Sequence, residues 1–138
     1  MVRMQRFRQA VEARDEQAIA DLLADDVVFT SPVAFAPYPG KAITAAILRA
    51  VLRVFEDFHY VREINDAGGR DSALVFNAVV DGKQIAGCDF LHVNDDGLID
   101  DFTVMVRPLS AAKALSAAMA EQFDRITREA LADEAASN

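Results

Sequence analysis

The chain has 138 residues, enough for one domain with a sizeable core, and 52% of them are hydrophobic. A net charge of −8 and a sequence pI of about 4.6 exclude a basic face for nucleic-acid phosphates. One cysteine, Cys88, excludes an internal disulfide, and two distant histidines without a Cys/His cluster or HExxH argue against metal or cofactor.

No apolar run approaches the 18 residues of a membrane span. The N-terminus MVRMQRFRQAVEARD carries basic residues without an apolar h-region, so the expectation is a cytoplasmic protein with no membrane partner. Met4, Phe7 and Val11 recur at helical spacing and predict a first amphipathic helix, followed by charged Glu12 and Arg14. Asp15 can cap a second helix, with Ala18, Ile19, Leu22 and Leu23 as its buried stripe. Asp25-Asp26 ends that helix, and residues 27–30 predict a short strand stopped by Ser31-Pro32. Three of the four prolines fall at positions 32, 37 and 39. The segment 33–40, VAFAPYPG, cannot then be regular structure, yet it is apolar and aromatic through Phe35 and Tyr38. It is either a core plug or the rim or lid of a pocket.

Ile43, Ile47, Val51 (or Leu48) and Phe55 mark a third helix over about 41–55. Residues 58–64 alternate Phe58, Tyr60 and Ile64 against His59, Val61 and Glu63, the pattern of a strand. A loop with Gly68-Gly69 leads into a β-rich run over 72–80, and Asp81-Gly82 turns the chain back. In 83–93, Ile85, Gly87, Leu91 and Val93 point one way, and Ala86, Cys88, Phe90 and His92 the other. Asn94-Asp95-Asp96-Gly97 is a tight turn into a last strand ending at Arg107. Beyond Pro108, Ser110 can cap a terminal helix with Leu115, Ala118, Met119, Gln122 and Ile126 on one side. Residues 1–132 form a single predicted domain, and 133–138 a frayed polar tail.

Into the apolar row of Gly87 and Leu91 falls a carboxylate, Asp89. Burying it unpaired costs several kcal/mol, so it is either a structural group, paired with an arginine or backbone N–H, or a pocket acid, base or ligand anchor. The element order predicts an α+β domain, a curved antiparallel sheet with the N-terminal helices on its concave face and a C-terminal helix. Such a sheet tends to enclose an apolar cavity. Its strands are apolar on both rows while one chain's helices cover one face. A homodimer through the outer sheet face is therefore expected, with His92, Thr103 and Met105 at or near it.

Three stretches carry a family resemblance: RFRQAVEARDEQAIADLLADDVVFTSPV, the proline loop ending in Gly40, and IAGCDFLHVNDDGLIDDFTVMV. Together they resemble the nuclear transport factor 2-like (NTF2-like) superfamily, in its SnoaL-like, ketosteroid-isomerase-like branch. The resemblance implies a cystatin-like cone. Its members include isomerases, polyketide cyclases, epoxide hydrolases, dehydratases and transport adaptors, so it implies no single activity. Ketosteroid isomerases carry an aspartate base immediately before the proline that ends the first strand, and here Ser31 stands there. Their tyrosine oxyanion donor in the first helix is matched by Phe7, and their second donor, an aspartic acid kept neutral, by Asp89. Loss of the base predicts no steroid isomerisation by that route. Limonene-type epoxide hydrolases use an Asp-Arg-Asp set, for which Asp89, Arg107 and Asp100 or Asp101 have the residue types. Strict alternation instead puts Asp101 and Arg107 opposite Phe102, Val104 and Val106.

Asp89 is thus the candidate catalytic residue. The candidate ligand wall takes Phe7 and Val11 from the first helix, Phe29 and Ser31 from the first strand, and Phe35 and Tyr38 from the proline loop. Phe55 and Phe76 extend it, as do Gly87 and Leu91 beside Asp89, and Phe102, Val104 and Val106 in the last strand. The expected ligand is a small hydrophobic molecule bearing a carbonyl or hydroxyl, with isomerase- or cyclase-type acid/base chemistry through Asp89. The alternative is a non-catalytic ligand-binding or protein-interaction module with a vestigial cavity.

Overall fold

The computed structural model describes residues 2–137, with side chains over 6–136. Helix α1 (Val2–Glu12) buries Phe7 and Val11; Met4, expected on the same stripe, lies outside the described side chains. Helix α2 (Glu16–Asp21) starts where the Asp15 carboxylate accepts from the Ala18 N–H at 3.1 Å, satisfying one of the free donors of the first turn. The next strand begins earlier than its apolar run suggests. β1 spans Leu23–Thr30, and a bulge between Leu23 and Val28 leaves Asp25 and Asp26 exposed within it. The proline loop also holds a short strand, β2 (Tyr38–Pro39), antiparallel to Val28 and Phe29. Regular structure is possible there because β2 is an edge, where a proline lacks no needed donor. Helix α3 spans Lys41–Val54.

Four antiparallel strands follow: β3 (Glu56–Asn65), β4 (Asp71–Val80), β5 (Lys83–Val93) and β6 (Ile99–Arg107). The sheet order is β2-β1-β6-β5-β4-β3, and β1 lies parallel to β6. The sheet is therefore mixed rather than antiparallel throughout. β2 and α3 separate β1 from the hairpins, and the last of these strands, β6, returns to the flank of β1 in the same direction. Asp81 and Gly82 take positive φ values of 49° and 74° at the β4–β5 turn, as a two-residue hairpin requires. At the β5–β6 turn Gly97 does the same, and the Asn94 side chain accepts from the N–H groups of Asp96 and Leu98.

One expected row is broken. Register shifts between Glu56 and His59 and between Tyr60 and Arg62 mark two bulges in β3. After the second, the strand's parity is reversed. Ile64 pairs with Ala73 on the outer face and is exposed, while Glu63 pairs with Leu74 at the inner edge. There Glu63 meets Arg8 of α1 at 3.2 Å, and the Arg8 guanidinium sits 5.5 Å above the Tyr60 ring.

Helix α4 (Leu109–Ser137) lies against α3 on the inner side of the sheet, with Ala111, Leu115, Ile126 and Ala130 buried. Arg49 of α3 pairs with Glu129 at 2.7 Å and Asp133 at 2.8 Å, and Arg53 reaches Gln122 and Glu129. The polar tail is accordingly not frayed at 133: Asp133 is tied down and the helix runs on to Ser137, while Asn138 lies outside the described residues. With α4 on the helical side, no element among the described residues covers the outer face. Val61, Ile64, Phe90 and Met105 are exposed on it. No helix is long and apolar enough to cross a membrane.

Candidate functional site

Between the sheet's concave face and the helices lies an apolar cavity of about 70 Å³. Every element except β2 contributes to its wall. Two aromatic groups form opposite sides. Phe102 contacts Phe7 at 5.5 Å and Phe29 at 5.4 Å between ring centroids. Phe76 contacts Phe58 at 4.9 Å and Phe55 at 5.6 Å, and Phe58 stands edge-on to Tyr60 at 5.0 Å. Stacked and edge-to-face pairs of this kind hold rings in fixed positions beyond their burial alone.

Asp89 is the one carboxylate on this wall, and it is 7% exposed. β5 puts it there by alternation: Ile85, Gly87, Asp89, Leu91 and Val93 are all buried, while Ala86, Cys88, Phe90 and His92 look outward. Its cross-strand neighbours are Leu74 and Val104, neither of which can satisfy it. Among the described residues no cation pairs with it; the Tyr60 hydroxyl donates to Oδ2 at a long 3.5 Å. Burial among apolar groups penalises the charged form and pushes the Asp89 carboxyl up from an ordinary 3.8 to about 7, with the Tyr60 contact pulling weakly the other way. Tyr60 in turn is held well above the usual phenol range, by burial first and then by the Asp89 charge. The carboxyl, pushed up to about 7, thus lies in an apolar wall next to the Tyr60 hydroxyl.

Of the expected wall, Phe7, Val11, Phe29 and Ser31 face the cavity, as do Phe55, Phe76, Phe102 and Val104. Tyr38 lines a neighbouring outer chamber instead. Phe35 does not line it at all. It is fully exposed at the tip of the proline loop, because the chain turns Val33 inward and Phe35 outward. Leu91 is buried deeper in the core and Val106 lies beyond the cavity, each off its wall. Gly87 is off the wall too, but shapes it. A methyl group at Gly87 would overlap the Phe76 ring and meet the Met105 carbonyl at 3.0 Å, so only glycine lets that ring lie across the strand. Sequence reasoning missed Tyr60, Phe58 and the α3 and α4 contributors Ile47, Val51, Leu115 and Met119. Tyr60 had a signal, its place in the β3 row that faces Phe76.

The Ser31 hydroxyl accepts from the Val33 N–H at 3.1 Å, a turn-forming role, and no base bonds to it among the described residues. The Asp-Arg-Asp arrangement does not form around the cavity. Asp101 and Arg107 are exposed and Asp100 bonds His92 at 2.7 Å, all away from Asp89. No group of three His, Cys, Asp or Glu side chains among the described residues could hold a metal ion.

Residues 4–102 match the SnoaL-like domain family. The chain is similar to the steroid delta-isomerase from Pseudomonas aeruginosa, with 38% identity, 92% of this chain and 93% of that one covered, and a TM-score of 0.86. It is also similar to an uncharacterized protein with a cystatin-like fold from Silicibacter pomeroyi DSS-3, at 34% identity, 92% and 91% coverage and a TM-score of 0.85. An NTF2-like protein of unknown function from Cytophaga hutchinsonii ATCC 33406, at 20% identity, 77% and 88% coverage and a TM-score of 0.60, shares the fold. No curated protein matches the chain. These matches bear out the superfamily resemblance and the cystatin-like α+β fold.

The buried carboxyl has a consequence for stability. The folded state keeps the Asp89 proton up to about pH 7, whereas the unfolded chain releases it near 3.8. Its contribution to stability is therefore fully present below the unfolded value and is lost as pH rises through the folded one. At about 1.4 kcal/mol per pH unit the loss is on the order of 4 kcal/mol when complete. Asp89→Asn, similar in shape and always neutral, should match the parent protein near pH 4 and exceed it in denaturant midpoint at pH 8. Equal midpoints at pH 8 would show that the carboxylate is compensated.

Proposed function

The chain belongs to the SnoaL-like domain family, and from that membership and its cavity we propose that it binds a small apolar molecule bearing a carbonyl or hydroxyl. Asp89 supplies proton-transfer chemistry of the isomerase or cyclase type. The observation that carries this reading is the burial of the Asp89 carboxyl in an apolar wall with no cation beside it among the described residues, which pushes it up to about 7. A neutral carboxylic acid there donates a hydrogen bond to a ligand oxygen, and in a water-excluded site that bond is strengthened as negative charge builds on the oxygen. When Asp89 gives up its proton, the Tyr60 hydroxyl is placed to donate to the carboxylate left behind. The similarity to the steroid delta-isomerase from Pseudomonas aeruginosa, at 38% identity, supports a steroid-like apolar molecule as the ligand class.

A second reading, binding without turnover, is favoured by a specific feature. Among the described residues Asp89 and Tyr60 are the two titratable groups on the cavity wall. Tyr60, held well above the usual phenol range, keeps its proton, which leaves Asp89 alone to take one up where a proton shift needs two groups. Ser31, where the resemblance places that base, bonds the Val33 N–H and meets no activating base among the described residues.

The test compares acetophenone with its hydrocarbon counterpart ethylbenzene by NMR titration. The net value of the hydrogen bond corresponds to roughly threefold to tenfold in affinity. The ketone-to-hydrocarbon affinity ratio should fall by that factor in Asp89→Leu and stay near the parent value in Asp89→Asn. An unchanged ratio in Asp89→Leu removes Asp89 from the ligand site.

Δ5-3-Ketosteroid turnover should be about 10²–10⁴-fold below that of an isomerase carrying the aspartate base. Turnover within tenfold would mean that another group abstracts the proton.

The exposed outer face suits a second copy of this chain. Ile64, Ala73, Phe90 and Thr103 form one cross-strand row, and Val75, Cys88 and Met105 the next. Apolar rows of that extent are uncommon on monomers. Sedimentation equilibrium should give a dimer at micromolar protein, and Phe90→Glu with Met105→Glu a folded monomer. A monomeric parent protein rules this out.

A further inference from the structure

The two ends of the outer sheet face differ in sign. At one end Asp71, His92 and Asp101 form a cross-strand row on β4, β5 and β6, flanked by Asp66 from the β3–β4 loop. At the other end the row is His59, Asn77, Ala86 and Arg107. Glu56 and Asp57 lie past that row, at the start of β3. Between the two ends run the apolar rows of Phe90 and of Met105, with Arg62 at the β3 edge of the second.

Asp101 and Arg107 stand exposed on the same face of β6. Six residues of extended strand keep them about 20 Å apart, too far to meet within one chain. Among the described residues neither has an ion pair, and nor does Asp71. Nearby groups are already engaged, His92 with Asp100 at 2.7 Å and Arg70 with Asp95 at 2.6 Å. Water solvates such charges on a free face. A second copy that covers the face takes them out of water and must pair them.

Two identical sheets packed face to face keep their strands roughly aligned, and a twofold axis can run along the strands or across them. An axis along the strands sets acidic end on acidic end, where like charges repel. An axis across the strands, over Val104, lays each strand on its own copy in reverse. The acidic row of one copy then covers the basic row of the other, and the apolar rows of Phe90 and Met105 cover each other. We propose that the second copy docks in this reversed sense, with Arg107 of each copy paired to Asp101 of the other across the outer face. This rests on the dimer reading above. The apolar rows supply the affinity and the two symmetric ion pairs set its direction.

Sedimentation equilibrium on the parent protein, Arg107→Asp, Asp101→Arg and the double reversal tests it. Each single reversal opposes like charges at both symmetric positions and should raise the dimer dissociation constant roughly tenfold to hundredfold. The double reversal restores opposite charges between copies and should return to within about threefold of the parent. Rescue within one chain is excluded, since the separation is about twice the screening length. Arg107→Gln with Asp101→Asn gives a neutral cycle, in which the double variant should be no weaker than either single one. A dimer indifferent to both reversals, or weaker in the double reversal than in either single one, overturns the reversed docking and leaves the dimer standing. A monomeric parent protein ends the dimer reading and the docking with it.

Discussion

The structure depends on one constraint, the register that holds a carboxylate in the apolar row of β5. A slip of one residue would carry Asp89 to the outer face and bring Phe90 and His92 inside. The slip is blocked at both ends, by the positive-φ pair Asp81-Gly82 and by the Asn94 side chain that closes the following turn. It is blocked in the middle by Gly87, the position over which the Phe76 ring lies. The apolar neighbours that fix the register are the same groups that deny Asp89 a counter-ion. Its proton is thus a product of the packing that makes the sheet.

How much of this was legible depended on how local the cause is. Strict alternation in β5 placed Asp89, because an unbulged strand between two tight turns obeys its period. Phe7, Phe29 and Phe102 were legible for the same reason. Ile64 was misplaced because a bulge two to four residues upstream reversed the parity of β3, and nothing in the string EDFHYVREIN marks where the extra residue goes. The parallel pairing of β1 with β6 joins strands about 70 residues apart, beyond any local pattern. The inward stripe of α4 was readable as Leu115 and Met119, but its docking on α3 was not. That docking rests on Arg49 and Arg53 meeting Gln122, Glu129 and Asp133, ion pairs and a hydrogen bond whose partners are far apart in sequence. Phe35 shows the converse error. An aromatic side chain in an apolar loop suggests a pocket wall, yet loop geometry alone decides which way it points.

Family membership and site chemistry bear on different questions. Membership fixes the cone and its concave cavity. It leaves open which side chains the cavity presents, and in this chain two expected polar positions hold Ser31 and Phe7. The residues that remain, Asp89 and Tyr60, sit on adjacent faces of β5 and β3, linked across β4 by Phe76 and Leu74. Arg8, stacked on Tyr60 and paired with Glu63 and Glu12, ties that side of the cavity to α1.

The two bulges of β3 have a further effect, at the rim of the sheet. β3 is one of its two edges, and an edge strand offers unpaired N–H and C=O groups to any other extended chain. Each bulge breaks the even spacing of those groups, and the left-handed Asp57 and the exposed charges of Glu56 and Arg62 interrupt the edge further. The opposite edge, β2, is two residues long and includes Pro39. Neither edge can therefore template the continuous strand-by-strand growth that leads to fibrils. A protein that displays an apolar sheet face is in this way kept from polymerising through its edges.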